Sequence, residues 1–290
     1  MQLGPSELIL NADDSIYHLN LLPQDIASTI ITVGDPDRVS DVSQYFDTIE
    51  VRKGKREFHT HTGTLNEKRI TVISTGIGTD NIDIVLNELD ALVNVDFESR
   101  TLKSAHSQLD IVRIGTSGAI QSDIAIDSFL LSEFAMGFDG LLHSYESDAF
   151  QYKDISGAFV KHTGWSANKS TPYVVKCDEN LATQLASNRI RFGITATNNG
   201  FYGPQGRKLR LKLADESLNS KISSFMYDSR KITNLEMETS GIYGLSKLLG
   251  HRAVSMNCIL ANRVTGAFSK NPQKAVDDLI QYTLQKLTQH

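Results

Sequence analysis

Only two of the 290 residues are cysteine, Cys177 and Cys258, and they stand far apart with no CxxC spacing. Such a pair supports neither a disulfide framework nor a thiolate zinc site, so reduced thiols and a cytoplasmic setting are expected. No apolar run approaches the ~20 residues that a membrane-spanning helix needs. The start, MQLGPSELILNADD, is acidic where a secretory signal would be basic and then apolar. The net charge of -5 carries no basic excess to coat a nucleic acid, although local arginines can still hold a small anion. Several ligand signatures are also missing. GIGTDN (76–81) supplies G-x-G without a third glycine, and GTSGAI (115–120) has the wrong spacing for a dinucleotide site. No P-loop or G-x-S-x-G elbow occurs, and Ser117 has no sequence-evident histidine base. His59 and His61 alternate along an apparent strand without a third ligand nearby, which reads as surface histidines rather than a metal site.

Present instead is a repeated arrangement: a short β-branched run that stops at glycine or small polar residues. It occurs at 29–38, 69–79, 109–119, 190–203 and 252–264. Continuous apolar strands of this kind suit the middle of a sheet covered on both faces. Between them, Ile82, Val85, Leu86, Leu89, Leu92 and Val93 recur at helical spacing. Residues 237–250 read as another helix, stopped by Gly250. Asn271 and Pro272 open a C-terminal helix with Val276, Leu279, Ile280, Leu284 and Leu287 on one face. The pattern predicts an α/β fold over 1–290 as a single domain, with an irregular, polar excursion at 139–185 that holds the one tryptophan, Trp165. In such folds ligands gather where strands run into their loops.

Three arginines stand where an anion could be captured. Arg38 follows a strand ending at Gly34, whose backbone can approach a ligand closely. Arg113 lies inside the apolar run LDIVRIGTSGAI, with Thr116 at its mouth, and Arg56 sits in KREF ahead of an apparent strand. Forked guanidinium donors, a hydroxyl and convergent backbone N–H groups are what a phosphate requires. Taken alone, Arg38 and Arg56 would usually be exposed or salt-bridged, and an internal carboxylate is the alternative partner for Arg113. Gln205 and Arg207, two residues apart in GFYGPQGR, can address a pyrimidine edge, with Phe201 stacking on the ring. Glu236 and Glu238 in NLEMETS form a carboxylate pair at a strand-to-helix junction, a place that also favours acids through the helix dipole.

The ordered series SIYHLNL, VGDPDRV, KREF, STGIG, RIGTSGAIQ, GFYGPQGR, NLEMETS and ILANR, running from residue 15 to residue 263, resembles the nucleoside phosphorylase family with a base site of the uridine phosphorylase type. That resemblance implies a mixed, partly barrel-like β-sheet flanked by helices. It implies reversible phosphorolysis of uridine to uracil and ribose 1-phosphate, with inorganic phosphate as co-substrate and no organic cofactor. Gly34, Arg38, Arg113 and Thr116 would hold phosphate, with Arg56 entering from a neighbouring subunit of a homodimer or of a hexamer built from such dimers. His18, also across the dimer, would meet the ribose with Glu236, Met237 and Glu238. Ser117, Gly118, Phe201, Gln205 and Arg207 would hold the base. Arg113, Gln205, Arg207 and Glu238 would carry the catalysis. Some relatives place a monovalent cation on residues matching Glu57, Ile77 and Asn81, but here a serine is replaced by Asn81, which puts the cation in doubt. A purine nucleoside phosphorylase is the nearest alternative, although ILANRV lacks the acid such enzymes place there. A non-catalytic nucleoside-binding protein is the further one.

Overall fold

The computed structural model describes residues 2–289. Five apolar runs become strands buried along most of their length: β1 (Thr29–Val33), β4 (Lys68–Ser74), β7 (Asp110–Ala119), β10 (Ile190–Thr197) and β13 (Arg252–Asn262). The order across the main sheet also takes in β2 (Thr48–Lys55), β3 (Phe58–Leu65), β8 (Phe129–Gly137), β12 (Arg230–Glu236) and β11 (Met226–Tyr227). It runs β2-β3-β4-β1-β7-β13-β8-β10-β12-β11. Pairings β1–β4, β1–β7, β7–β13, β8–β10 and β10–β12 are parallel, whereas β2–β3, β3–β4 and β8–β13 are antiparallel. The end of β12 returns to β7 through Asn234↔Ala119 and Leu235↔Gly118. This last pairing closes β7-β13-β8-β10-β12 into a ring, so the expected partly barrel-like sheet is the observed one.

Helices cover the sheet because each carries one apolar stripe. In α2 (Thr79–Asn94), Ile82, Val85, Leu86, Leu89 and Leu92 are buried. The helix α6 (Thr239–Leu249) packs against α2 and ends at Gly250, which has a left-handed φ of 78°. The Asn271 side chain accepts from the Lys274 N–H and starts α7 (Pro272–Thr288). Short α1 (Asp37–Ser43) follows β1 directly, and the small elements β5 (Val95–Asp96), β6 (Thr101–Leu102), α5 (Leu218–Ser224) and β14 (Ala267–Phe268) complete the chain order.

The excursion at 139–185 is more regular than its polar composition suggests. It contains α3 (Lys153–Thr163), β9 (Tyr173–Lys176), which pairs with β8, and α4 (Glu179–Leu185). Ile155 and Phe159 of α3 join Phe138, Val174 and Phe225 in a second apolar cluster, and this burial orders the segment. Among the described residues no helix is long and apolar enough to cross a membrane.

Candidate active site

The C-terminal ends of β1, β7, β12 and β13 border one cavity of about 770 Å³. It is lined by Gly34, Arg38, Arg113, Thr116, Ser117, Gly118, Phe201, Gln205, Arg207, Glu236, Met237 and Glu238. Sequence positions as far apart as 34 and 238 thus meet where strands give way to loops, the usual ligand position of α/β sheets.

Arg113 carries a permanent charge in a strand interior, with only 5% of its surface exposed. Its Nη2 lies 2.6 Å from Glu238 Oε2 and 3.3 Å from Glu236 Oε2, and its Nη1 donates to Asn257 Oδ1 at 3.0 Å. Burial pulls the guanidinium pKa down, but the two carboxylates outweigh it and hold the group above its ordinary value. The internal carboxylate weighed as the alternative partner of Arg113 is thus present, and the guanidinium still lines the cavity. The internal carboxylates balance it, as a fully desolvated charge requires. Its neighbour explains the motif: a Cβ on Gly115 would fall 1.8 Å from Arg113 Nη1, so the guanidinium lies across a position that only glycine leaves empty.

Arg38 is the contrasting case. It is half-buried and has no side-chain hydrogen bond or ion pair among the described residues. Burial first, and the Arg113 charge second, lower its pKa. It also sits in the first turn of α1, where the helix dipole disfavours a cation. Thus neither the exposed nor the salt-bridged reading applies: among the described residues Arg38 has no direct side-chain partner, and Asp35 and Asp41 act on its charge only from a distance. Nearby, a Cβ on Gly34 would meet only the Gly76 carbonyl, at an ordinary 3.6 Å. The chain's own packing does not demand glycine at 34.

The carboxylate pair divides its labour. Glu236 Oε2 accepts from the N–H groups of Glu238 and Thr239, each at 2.9 Å, and from the Thr239 hydroxyl at 2.8 Å. Its Oε1 accepts from the Thr197 hydroxyl at 2.6 Å. With these donors and Arg113 around it, Glu236 is occupied as the anion at the N-terminus of α6, so direct sugar binding by Glu236 is not what this geometry provides. Among the described residues Glu238 accepts only from the Gly78 N–H, at 3.0 Å, and from Arg113. Burial pushes its carboxyl above the ordinary value; Arg113 offsets part of that shift, and Glu236 adds to it.

At the other end, Arg207 Nη1 donates to the Phe201 carbonyl at 2.7 Å and to Gln205 Oε1 at 2.6 Å. Its guanidinium lies 3.7 Å from the centre of the Phe201 ring. Phe201 thus has Arg207 over its ring, and Gln205 keeps its NH₂ and one lone pair of Oε1 for the cavity. Arg263, absent from the expected site, packs under Gly118 and donates to the Gln205 backbone carbonyl. Burial and the neighbouring Arg207 charge bring its pKa down to about 10. The segments 201–207 and 260–268 contribute no acid to the cavity lining.

Two expected residues lie elsewhere. Arg56 occupies the β2–β3 turn with a left-handed φ of 56° and is exposed beside Arg52, Lys53 and Lys55. The adjacent Glu57 does line the cavity. His18 is held by Glu88, Nδ1 to Oε1 2.6 Å, and its ring lies 6.4 Å from that of Phe58 in the same hairpin. So Arg56 and His18, both expected to act in a partner subunit, share one region outside the chain's own cavity. Glu57, Ile77 and Asn81 do come together in the lining of the cavity itself, but Asn81 Nδ2 donates to Glu57 Oε1 at 3.3 Å. The amide presents hydrogen to the carboxylate, so this arrangement does not fit a cation ligand set.

A family model described as phosphorylase superfamily matches residues 28–288. A uridine phosphorylase of Thermococcus kodakarensis is 29% identical over 264 residues, covering 89% of this chain and 81% of the relative. A DeoD-type purine nucleoside phosphorylase of Oceanobacillus iheyensis is 23% identical over 270 residues, covering 92% and 97%. The crystal structure of a Trypanosoma brucei nucleoside phosphorylase, which shows uridine phosphorylase activity, superposes with a TM-score of 0.87 at 28% identity, covering 97% of this chain and 99% of that one.

Proposed function

This chain belongs to the phosphorylase superfamily and is a pentosyltransferase, and from that premise we propose that it catalyses the reversible phosphorolysis of uridine to uracil and ribose 1-phosphate in the cytoplasm, as a step of pyrimidine salvage. The observation that carries the pyrimidine reading is the base end of the cavity: Arg207 lines it, Arg263 lies behind it, and no acid comes from 201–207 or 260–268. A uracil ring leaving as an anion spreads charge onto O2 and O4, and such donors stabilise it more as the bond breaks. One well-placed donor supplies roughly 3–4 kcal/mol of barrier lowering. A purine enzyme would benefit from an acid at N7. Asn262 at the end of β13 is instead buried and donates to the carbonyls of Gln121 and Ile124.

Phosphate would sit on Arg38, the Gly34 backbone and Thr116, in the field of Arg113. As the C1′–N1 electrons pass to uracil, a phosphate oxygen attacks C1′ from the opposite face and inverts that centre. Glu238 would accept from the ribose hydroxyls over Met237, with Glu236 holding Glu238 and Arg113 in place. Ser117, Gly118, Gln205 and Arg207 would meet the base. The lining holds three arginines, Arg38, Arg113 and Arg207, against four acids, Asp35, Glu57, Glu236 and Glu238, so one chain offers the phosphate no net positive charge. Arg56 of a second subunit would add it, and His18 would arrive beside it. Turnover would need no organic cofactor and no monovalent cation.

Incubation with uridine, thymidine and inosine, with and without phosphate, tests the reading. Uracil and ribose 1-phosphate should form from uridine only when phosphate is present. Inosine as the preferred substrate would establish the purine alternative, and free ribose without phosphate would refute phosphorolysis.

A further inference from the structure

Each strand of the closed ring contributes a polar side chain to one continuous path of hydrogen bonds. Arg113 of β7 donates to Asn257 Oδ1 of β13 at 3.0 Å, and Asn257 Nδ2 donates to Ser132 Oγ of β8 at 3.2 Å. Ser132 Oγ lies 2.6 Å from Thr195 Oγ1 of β10. The Thr195 hydroxyl is 2.8 Å from Asn234 Oδ1 of β12, and Asn234 Nδ2 is 2.9 Å from Ser117 Oγ, back on β7. Asn257, Ser132, Thr195 and Asn234 are wholly buried.

The direction of every bond follows from the first. Arginine can only donate, so Asn257 must turn its oxygen to Arg113 and its NH₂ onward. Besides Thr195, Ser132 Oγ meets only that NH₂ among the described residues, so its hydrogen must go to Thr195. The Thr195 hydrogen must then go to Asn234 Oδ1, which leaves the Asn234 NH₂ for Ser117. The opposite sense would strand a buried hydroxyl hydrogen, a costly arrangement in a barrel interior. The Ser117 oxygen is thereby used as an acceptor. Its own hydrogen has no acceptor among the described residues, and the residue faces the cavity.

We infer that this ring is a one-way relay that makes Ser117 a hydrogen-bond donor to a carbonyl oxygen of the departing pyrimidine, an inference that rests on the pyrimidine reading above. Bonds aligned in one sense polarise one another, and here a buried cation heads the series. Ser117 is the catalytic residue of the relay; Thr195, Asn234, Ser132 and Asn257 are positioning residues. No atom of the relay changes its covalent partner.

Thr195→Val keeps the side chain's shape and removes the link. It should lower kcat/KM for uridine about tenfold, the worth of one hydrogen bond, while the phosphate KM stays within about twofold. Thr195→Ser should restore the uridine value to within about twofold of the parent. A folded Thr195→Val protein with parental uridine kinetics would overturn the relay, as would a Thr195→Ser protein as impaired as Thr195→Val. A neutron structure of the unaltered protein gives a readout independent of turnover. Deuterium should point from Ser132 to Thr195 and from Thr195 to Asn234, and the reverse sense would overturn the inference. An unaltered protein inactive on uridine would refute the reaction, while the neutron map would still decide the relay.

Discussion

Gly115→Ala adds one methyl group and should disable the centre of the cavity. The new carbon would lie 1.8 Å from Arg113 Nη1, 2.3 Å from Cζ and 2.5 Å from Nη2. Real carbons do not approach that closely, so the guanidinium must leave its place. Backbone strain contributes nothing, because Gly115 has no left-handed φ. Displacing the guanidinium breaks the contacts to Glu238 and Asn257 and leaves two buried carboxylates without their cation, at about 3–5 kcal/mol. Alanine returns about 0.5–1 kcal/mol through backbone entropy in a strand. The net loss is roughly 2–4 kcal/mol of unfolding free energy. Denaturant unfolding measures it, and kcat/KM should fall by roughly two orders of magnitude if a comparable loss appears in the transition state. The decisive control is a double-mutant cycle. In an Arg113→Ala background nothing remains for the methyl to strike, so Gly115→Ala should add less than about 0.5 kcal/mol. Additive losses, or a Gly115→Ala protein with parental stability and turnover, would refute the steric argument.

Arg38→Gln should raise the phosphate KM yet slightly increase stability in phosphate-free buffer, because it removes a half-buried cation that Arg113 repels. Thermal melts with and without phosphate check this: phosphate should stabilise the parent protein and barely affect the variant. Ionised Glu238 is the stronger acceptor for sugar hydroxyls, and burial holds its carboxyl above the ordinary carboxylate value. Nucleoside kcat/KM should therefore fall with an acid limb above that value, absent in Glu238→Gln. The raised value also means that this group favours folding most below 4.5 and progressively less as pH rises through its folded value. If Arg56 acts across a dimer, Arg56→Ala and Arg207→Ala proteins, each impaired, should regain activity when subunits are exchanged. Failure to regain it in a verified mixed dimer would place both residues in one chain's site.

How far the sequence discloses the site depends on what kind of signal each residue carries. Strands β1, β4, β7, β10 and β13 announce themselves through β-branched runs, and α7 through its Asn-Pro start. The strand β8 does not: FLLSEFAMG is rich in helix-favouring Leu, Ala, Met and Glu, and only burial between β13 and β10 makes it extended. Residues of the cavity were legible through their chemistry, but their partners were not. That Glu236 is occupied by Thr197 and Thr239, or that Arg263 grips the Gln205 carbonyl, depends on contacts between distant segments that no local pattern encodes. One partial clue existed. Arg113, Gly115 and Ser117 alternate on a strand, so a long side chain at 113 lies over 115, and glycine there could have been read as space reserved for it.

The barrel is fastened between β12 and β7 by only two residue pairs, and Ser117, Gly118, Leu235 and Glu236 around that short clasp all face the cavity. A molecule seated there bridges both sides of the fastening. Occupancy should therefore slow amide exchange in both strands together, so that the ligand serves the empty fold as a removable pin.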